Sequence, residues 1–508
     1  MSTYEAATAK AGAGHRWLTL FTVVLATTLY ATTILVVSVI LPQMQGTLSA
    51  TQDQIAWVVT FNILATAVVT PMSGWLADRF GRRRVMIWCI AAFTASTALC
   101  GQADALLPLV IYRIAQGAFG APLIPLGQAV ILDTFPRHEH GKATAIFGMS
   151  VVVGPIIGPA FGGYLAEAYN WRWAFYMLVP AGALACLGLW LVLRDQAERH
   201  PRRLDWIGFL SLSTAVVALQ LMLDRGQRHD WFNSAEIVIE ACLAVAAFYI
   251  FTVHSLTARK PFLNLHLLLN RNYSVGLVLV TIYGMLNFTP MILLPPMLQN
   301  LMGYPDSVIG TLLGFRGAGA TTGFFLAFFF GRLDPRIGMT IGFLAQAASG
   351  WYMAGFDINV TSADVALTSF VQGVSVGMVW VPMTVATFAT IKPEHLAETS
   401  AVYHLLRNLG SSVFISLSVT TVIRTASANY AGMTEFINPF NETLLYSSIL
   451  GAWRPETATG LAQISDEIQR QALMIGYLNA FGLYTIASLA VVLLVFLVQA
   501  PSRADARA

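Results

Sequence analysis

Residues 74–84 read Gly74-Trp-Leu-Ala-Asp78-Arg79-Phe-Gly81-Arg82-Arg83-Arg84 and lie between two apolar runs. Glycine permits the tight turn that joins consecutive helices, and clustered arginine favours the cytoplasmic side of a membrane. An aspartate at this place can pair with a nearby arginine or lie at a helix N-terminus, where the dipole favours an anion. We therefore predict a latch that closes one side of a helical bundle, with Asp78 and Arg79 as gating residues. A plain positively charged anchor is the alternative.

The composition predicts an integral membrane protein. Of 508 residues, 56% are hydrophobic and only 11% are charged, and the mean hydropathy is +0.64. A soluble domain carries about 25% charged residues, so an ordinary soluble enzyme and a disordered chain are excluded. The net charge of +3 is too small to suggest a nucleic-acid partner. We find no ATP-binding loop, nucleophile elbow or metal-ligand spacing, and we expect no enzyme activity, cofactor or metal.

Fourteen apolar runs are long enough to cross a bilayer as helices, which need about 20 residues each. They are 17–41, 55–76, 84–103, 106–133, 141–167, 172–194, 204–224, 234–255, 270–298, 305–330, 336–355, 362–389, 397–424 and 474–498. The fold class is therefore all-α, a polytopic membrane protein. Twenty of the 29 Lys and Arg residues fall on the side of both termini and six on the other. We expect both termini in the cytoplasm.

A second loop, Gly331-Arg332-Leu333-Asp334-Pro335-Arg336-Ile337-Gly338, resembles a worn copy of 74–84. Each copy follows the second helix of a six-helix set if two central helices are an insertion, giving 6 + 2 + 6. Duplicated halves are typical of transporters that rock around a site at the membrane midplane. The predicted units are a tail (1–16), a six-helix bundle (17–194), the insertion (195–269), a second bundle (270–498) that includes an external loop (425–473), and a tail (499–508).

Three motifs resemble the major facilitator superfamily. They are residues 74–84, the Arg113-Ile-Ala-Gln116-Gly117 element, and Gly154-Pro155-Ile-Ile-Gly158-Pro159-Ala-Phe-Gly162-Gly163. The fourteen spans, PLIPLGQ at 122–128, Leu223-Asp224-Arg225-Gly226 and Asn438-Pro439-Phe440 are similar to its drug–proton antiporter branch of the EmrB/QacA type. This resemblance covers nearly the whole chain. It implies the major facilitator fold, multidrug efflux across the inner membrane, and work with a periplasmic adaptor and an outer-membrane channel. It also assigns Arg113 to the coupling of protonation and substrate release.

Glycines and prolines alternate along the fifth span at intervals of four residues. Gly154, Gly158 and Gly162 share one face, and small residues at this spacing let two helices approach closely in lipid. Pro155 and Pro159 each remove a backbone hydrogen bond and can bend the helix. We expect a smooth, bent face suited to sliding against a helix of the other half. Simple tight packing is the alternative.

Three arginines, Arg113, Arg316 and Arg407, fall within spans. A charge at this depth is a candidate functional group because lipid disfavours it unless it is paired or hydrated. Gln116 lies one turn from Arg113 and can share its hydrogen bonds, although Arg113 near a helix end could instead snorkel. His404 lies three residues before Arg407 and is the one histidine of nine that is well inside a span. It could switch charge with pH, be a neutral hydrogen-bonded histidine, or contact substrate.

The first span departs from the antiporter branch, whose members typically carry an acid there. No acid occurs between Glu5 and Asp53, and Thr33 or Ala31 stands at the acidic position. His404 is the candidate replacement for proton coupling. Polar and aromatic residues on several spans predict one large, mostly apolar substrate cavity. Its predicted lining is Thr33, Asn62, Tyr283, Asn287, Arg316, Gln372 and Trp380. Apolar walls favour amphiphilic organic substrates, whereas the arginines favour neutral or anionic ones.

The sequence therefore predicts an efflux transporter for small amphiphilic compounds that works by alternating access, coupled to proton entry. The alternative is a proton-independent facilitator or metabolite exporter of the same fold, which the missing acid favours. A membrane scaffold or sensor is disfavoured by three buried arginines. The external loop at 425–473 is either a flexible tether or a docking surface for a partner.

Overall fold

The computed structural model describes residues 13–136, 139–193, 204–259, 261–330, 334–438, 441 and 457–499. The secondary structure of these residues is helical, without a strand among them, and each of the fourteen apolar runs coincides with a helix or with consecutive helical segments. Ten of the described helices are long and apolar enough to cross a membrane. Large apolar side chains such as Trp88, Tyr249 and Trp351 are exposed on the outside of the bundle, as expected for a surface that faces lipid.

The first bundle contains six helical elements. They are α1 (Ala13–Thr47), α2 (Gln52–Val69, continued through a 3-10 turn at Thr70–Met72 by Ser73–Phe80), α3 (Arg82–Gln102), α4 (Leu106–Gly120 and Leu123–Thr134), α5 (His140–Ala168) and α6 (Trp173–Tyr176 and Leu178–Val192). The inserted hairpin is α7 (Trp206–Arg225) and α8 (Ala235–Thr257). The second bundle is α9 (Arg271–Met302), α10 (Asp306–Phe330), α11 (Pro335–Ala354), α12 (Ser362–Phe388), α13 (Leu396–Thr434) and α14 (Ala458–Val495).

The two bundles pack internally and then against each other. Within the first, α1 packs on α5 and α2 on α4; within the second, α10 packs on α12 and α9 on α13. The bundles meet where α5 contacts α10 and α12, and where α13 contacts the later segments of α2 and α4. The largest hydrophobic cluster runs through both bundles. A second cluster, which includes Val36, Ile55 and Trp171, belongs to the first bundle alone.

One end of the molecule, here called the terminal side, carries the start of α1 and the end of the described chain. Arg16 lies 3.6 Å from Glu139, and Arg336 Nε donates to the carbonyl of Val498 at 2.7 Å. The α2–α3 turn is also there, at Gly81, whose φ of 88° suits glycine. In the second loop copy, Asp334 caps α11 by accepting from the Arg336 N–H at 2.9 Å, whereas 331–333 lie outside the described residues.

Helices α13 and α14 are longer than the apolar runs predict. The expected loop at 425–473 is wrong at both ends, because α13 continues to Thr434 and α14 begins at Ala458. At 1.5 Å per residue, α13 is about 58 Å long, nearly twice the thickness of a hydrocarbon core. The extensions pack on each other, with Tyr430 Oη 2.9 Å from Ser465 Oγ. Mutual packing lets a helix continue where lipid contact ends. Asn438 is described, whereas Pro439 and Phe440 are not.

The inserted hairpin lies across the junction between the two bundles. Thr60 of α2 donates to Asp224 Oδ2 at 2.8 Å, and Ser416 of α13 donates to the carbonyl of Leu223 at 2.8 Å. A small apolar cluster joins the hairpin to both bundles; it consists of Ala67, Leu212, Val216, Phe251, Leu263 and Leu405. The Leu223–Gly226 stretch therefore ties α7 to both bundles at once.

Candidate functional site

The buried arginine of the first bundle is held by hydrogen bonds within that bundle. Arg113 of α4 donates through Nε to the carbonyl of Val58 at 3.1 Å and through Nη1 to Gln116 Oε1. Gln116 in turn donates to Thr97 Oγ1 of α3 at 2.7 Å. Asn62 of α2 donates to the Arg113 carbonyl at 2.7 Å. Arg113 is only 1% exposed, so it is a buried brace between helices rather than a snorkelling side chain.

The second bundle contains a matching brace around Arg316 of α10. Its Nη1 donates to Gln372 Oε1 at 3.0 Å, and its Nη2 donates to Asn287 Oδ1 at 2.7 Å and to the Asn287 carbonyl. Gln372 of α12 donates to Ser349 Oγ of α11 at 3.0 Å. The Arg316 guanidinium therefore donates to three acceptor atoms, and its hydrogen-bond network joins four helices.

The two braces share several features. Gln116 and Gln372 are each the eleventh residue of their helix, and each bonds an arginine on one side and a hydroxyl on the other. The next residues, Gly117 and Gly373, lie directly against the backbone carbonyls of Asn62 and Arg316. The arginine comes from α4 in one half and from α10 in the other. Sequence reasoning missed this correspondence, although the repeated Gln-Gly dipeptide signals it.

An aromatic cluster fills the space where α9, α12 and α13 face the first bundle. The Trp380 ring lies 5.4 Å from Tyr283, 5.9 Å from Tyr403 and 6.0 Å from His404, measured between centroids. Arg407 Cζ lies 5.6 Å from the Trp380 centroid, a cation–π distance. We call these five residues the central cluster. At 1.5 Å per residue along α13, Arg407 lies about 17 Å from the start of its helix.

The central cluster touches the first bundle through His404. Its Nε2 donates to Gln128 Oε1 of α4, since an amide oxygen can only accept. Ser400 Oγ lies 3.4 Å from the same oxygen. This contact joins the two halves. Gln128 ends the 122–128 stretch that resembles the antiporter branch, but nothing in the sequence marks it as the partner of a residue 276 positions later.

The glycine face of α5 packs on its own half, which corrects the expectation that it slides against the other half. A methyl group added at Gly154 would lie 2.7 Å from the Thr28 carbonyl of α1, and one at Gly158 would lie 2.7 Å from the Thr32 carbonyl. Pro155 is buried, and the Pro159 side chain is outside the described set. The nearby Thr33 is buried and donates to the Tyr30 carbonyl at 2.7 Å.

A different glycine of α5 meets the second bundle. A methyl group added at Gly148 would lie 2.7 Å from Trp380 Nε1 and 2.6 Å from Phe324 Cε1. Real Cβ atoms do not approach other atoms this closely, so the side chain at 148 must be absent for α5 to reach α10 and α12. Gly148 falls outside the four-residue series, so the spacing of the glycines does not indicate this contact.

The terminal side is closed by a latch that only partly matches the predicted one. Gly74 lies against α13, since an added methyl group would be 2.9 Å from Glu398 Cα. Asp78 is one turn further on the same face. Arg79, in contrast, is exposed and lies 5.9 Å from the Trp75 ring. Arg82 makes the bridge, donating to Asp133 Oδ2 and to the Pro393 carbonyl, each at 3.0 Å.

Charge and hydrogen bonding are unbalanced in the central cluster. Within the described part of the chain, no Asp or Glu forms an ion pair with Arg113, Arg316 or Arg407. Of the buried polar atoms without a hydrogen-bond partner among the described residues, three belong to the central cluster, Tyr283 Oη, Trp380 Nε1 and His404 Nδ1, and Gln128 Nε2 lies beside it. Leaving one such atom unsatisfied costs about 1–3 kcal/mol, so these four atoms are candidate contacts for a polar group of a ligand.

Comparison with known proteins agrees with this architecture. Residues 23–415 match the sequence profile of the Major Facilitator Superfamily. The chain belongs to the major facilitator superfamily. This transporter is 32% identical over 477 residues to the multidrug export protein EmrB of Haemophilus influenzae, with 92% of each chain covered. It is 30% identical over 515 residues to the fatty acid resistance protein FarB of Neisseria gonorrhoeae, with 96% of this chain and 97% of the relative covered.

The fold agrees with solved superfamily structures. The proton:xylose symporter XylE matches 95% of this transporter with a TM-score of 0.60 at 13% identity, covering 97% of that chain. At this identity the likeness concerns the fold alone. Six of the seven predicted cavity residues of this multi-pass membrane transporter fall into three groups, and the seventh, Thr33, is bonded within its own helix, α1. Asn62 belongs to the first brace, Asn287, Arg316 and Gln372 to the second, and Tyr283 and Trp380 to the central cluster.

Proposed function

We propose that this transporter exports small amphiphilic organic compounds from the cell by alternating access. The central cluster carries the proposal, because it combines aromatic area with unsatisfied polar atoms at the place where the two halves meet. Aromatic and aliphatic walls bind amphiphiles through buried area, and a few polar groups orient them. The relatives named for multidrug export and fatty acid resistance support the same substrate class.

The two halves supply the moving parts of this proposal. Each is stiffened by its own arginine–glutamine brace, so each can move as a unit. On the terminal side the halves meet through the Arg82 bridge and the approach of Gly74 to Glu398, and in the central cluster they meet through the His404–Gln128 hydrogen bond. Breaking them would open the terminal side. In this scheme Tyr283 and Trp380 contact substrate, while Asn62, Thr33, Asn287, Arg316 and Gln372 hold the helices in register.

We further propose that His404 couples export to proton entry. A proton on Nδ1 would place a second positive charge beside Arg407 and next to Gln128, and the repulsion would weaken the closed arrangement. Tyr403, Trp380 and Ser400 are the other neighbours named by the structure. His404→Asn should abolish the pH dependence of efflux in proteoliposomes with an imposed pH gradient. His395→Asn, outside the core of α13, is the matched control; unchanged pH-driven efflux in His404→Asn contradicts the coupling.

A proton-independent exporter of the same fold is the second candidate. The observation that favours it is the lack of an acid between Glu5 and Asp53, together with the absence of acidic partners for the buried arginines among described residues. The same proteoliposome assay separates the candidates. If the rate of efflux by the wild type does not depend on the imposed pH gradient, the second mechanism is supported and His404 has no role in proton coupling.

We propose that the terminal side is cytoplasmic and that the α13–α14 extension projects outside the inner membrane. The loop arginines support this orientation. The extension then offers a two-helix surface on which an adaptor protein leading to an outer-membrane channel could dock. Single cysteines at Thr390 and Ser427, in a chain lacking Cys89, Cys100, Cys186 and Cys242, should react with impermeant thiol reagents from opposite sides of the membrane. Reaction of both from the same side contradicts the topology.

A further inference from the structure

We propose that the central cluster is a binding site for the acidic head group of an amphiphilic organic anion, with Arg407 as its charged partner. This inference rests on the proposed export function and names the substrate class of that site. Arg113, Arg316 and Arg407 are similarly buried. Their hydrogen-bond partners therefore decide which of the three is available to a ligand.

Arg407 is the least satisfied of the three. Its Nε and Nη2 both donate to one atom, Asn408 Oδ1, at 3.4 and 3.1 Å, and these are its hydrogen bonds within the described residues. Arg316 instead reaches three acceptor atoms and Arg113 two. A guanidinium carries five N–H donors in a fixed fork that matches a carboxylate or sulfonate. The Arg407 guanidinium is therefore held by a single acceptor at long distances, and its Nη1 makes no hydrogen bond within the described residues, whereas Arg113 and Arg316 each reach acceptors on other helices and act as braces.

The atoms around Arg407 also favour an acceptor-rich ligand. Trp380 Nε1 can only donate, the Gln128 amide nitrogen can only donate, and Tyr283 Oη can donate. All three are buried without a partner among the described residues. A cationic head group would meet these donors and a like charge, while an anionic one would satisfy them. The exception is His404 Nδ1, which accepts in the neutral ring because Nε2 carries the proton.

The site is placed where both halves can release its ligand. Arg407 lies one turn from His404 on the same face of α13, and His404 contacts Gln128 of the first bundle, so Arg407 also faces that bundle. An apolar tail can lie along the Trp380, Tyr403 and Phe388 rings, of which the last two are 5.2 Å apart.

The membrane potential acts on a substrate that carries one negative charge. An inside-negative potential favours outward movement of one negative charge by about 50-fold in concentration ratio per 100 mV. Export of such a substrate is therefore driven by the membrane potential alone, and proton exchange would add to this drive without being required for it.

The binding test uses the full-length protein in lipid nanodiscs and two permanently charged probes with the same tail, octanesulfonate and octyltrimethylammonium. Isothermal titration, corrected with empty nanodiscs, should show octanesulfonate binding that weakens by about 30-fold or more in Arg407→Gln. Arg407→Lys should recover part of it. Arg424→Gln, on an exposed part of the same helix, should bind like the wild type. Equal sulfonate affinity in Arg407→Gln, or a wild-type preference for the cation, overturns the inference.

A milder variant keeps the test valid if Arg407→Gln does not fold. Trp380→Phe retains an aromatic ring but removes the N–H donor, and it should weaken octanesulfonate several-fold without affecting the cationic probe. An equal loss for both probes contradicts the site. Charge movement is then measured in proteoliposomes after an octanesulfonate jump. If octanesulfonate binding depends on Arg407 but no transport is measured, the binding site is supported and the proposed export function is contradicted. If either probe is transported equally well by the wild type and by Arg407→Gln, export is supported and the binding site is contradicted.

Discussion

Replacing Gln372 by methionine should lower the stability of the protein, whereas replacing Gln346 by methionine should not. Both glutamines are buried in the second bundle, and methionine has a similar length without the amide. Gln372 accepts from Arg316 at 3.0 Å and donates to Ser349 at 3.0 Å. Both amide atoms of Gln346, one helix away on α11, lack a partner among the described residues. Comparing the two variants therefore measures how much a hydrogen-bonded buried amide contributes to stability relative to one without hydrogen bonds.

The magnitude follows from the bonds that are lost. A hydrogen bond to a charged group contributes about 1.5–3 kcal/mol and a neutral one about 0.5–1.5 kcal/mol, and interhelical bonds in membranes fall toward the lower values. Gln372→Met should thus destabilise by about 2–3 kcal/mol, which lowers the apparent Tm by about 4–6 °C at roughly 2 °C per kcal/mol. Gln346→Met loses no bond and should leave the Tm unchanged or raise it.

Thermal unfolding of the purified protein in one detergent, followed by tryptophan fluorescence at a fixed scan rate, measures both shifts. A fixed rate matters because membrane proteins often unfold irreversibly, which makes the Tm depend on it. An equal loss in both variants would mean that polar contacts do not distinguish these positions. No loss in Gln372→Met would mean that Arg316 finds another acceptor, and the brace would not be a structural unit.

Three more predictions concern the contacts between elements. Gly148→Leu should abolish efflux while the protein still folds, because the side chain keeps α5 from α12, whereas Gly141→Leu on the same helix meets open space and should transport normally. Arg82→Ala should raise the accessibility of the central cluster to impermeant thiol reagents from the terminal side, and Arg84→Ala, which is exposed, should not. Asp205→Ala should loosen the α7–α8 hairpin and lower the apparent Tm, because this carboxylate accepts from three groups within 3.1 Å; an unchanged Tm contradicts that role.

The sequence predicted the helices better than their ends or partners. The fourteen spans follow from local hydropathy, which needs no knowledge of neighbours. The extensions of α13 and α14 to Thr434 and from Ala458 could not be predicted in this way, because helix–helix contacts support them outside the apolar core. The Gly154 series was correctly recognised as a close-packing face, but spacing alone does not state which helix approaches it.

For the site residues too, the sequence indicated which residues are unusual but not which residues they contact. Buried charge marks Arg113, Arg316 and Arg407 as unusual in any lipid-spanning chain, and a lone histidine beside Arg407 is visible without a structure. Which arginine is satisfied by its neighbours depends on residues far apart in the chain, such as Arg316 and Gln372, 56 positions away. The sequence predicted Arg79 as a gating residue, whereas the structure shows Arg82 as the bridging residue. Arginines of one loop are alike in sequence, and only the acceptor atoms that other elements bring close to each of them decide which one forms the bridge.

By itself, the sequence determined that this chain crosses the membrane many times and that arginines lie inside it, and it predicted two related halves. These properties are local or repeated, and composition and spacing carry them. The tertiary structure alone decided that Arg113 and Arg316 are braces, that the Arg407 guanidinium beside Trp380 has a single acceptor within the described residues, and that His404 meets Gln128 across the halves. Hydrogen bonds are short-ranged and directional, so their partners exist only after the helices have packed.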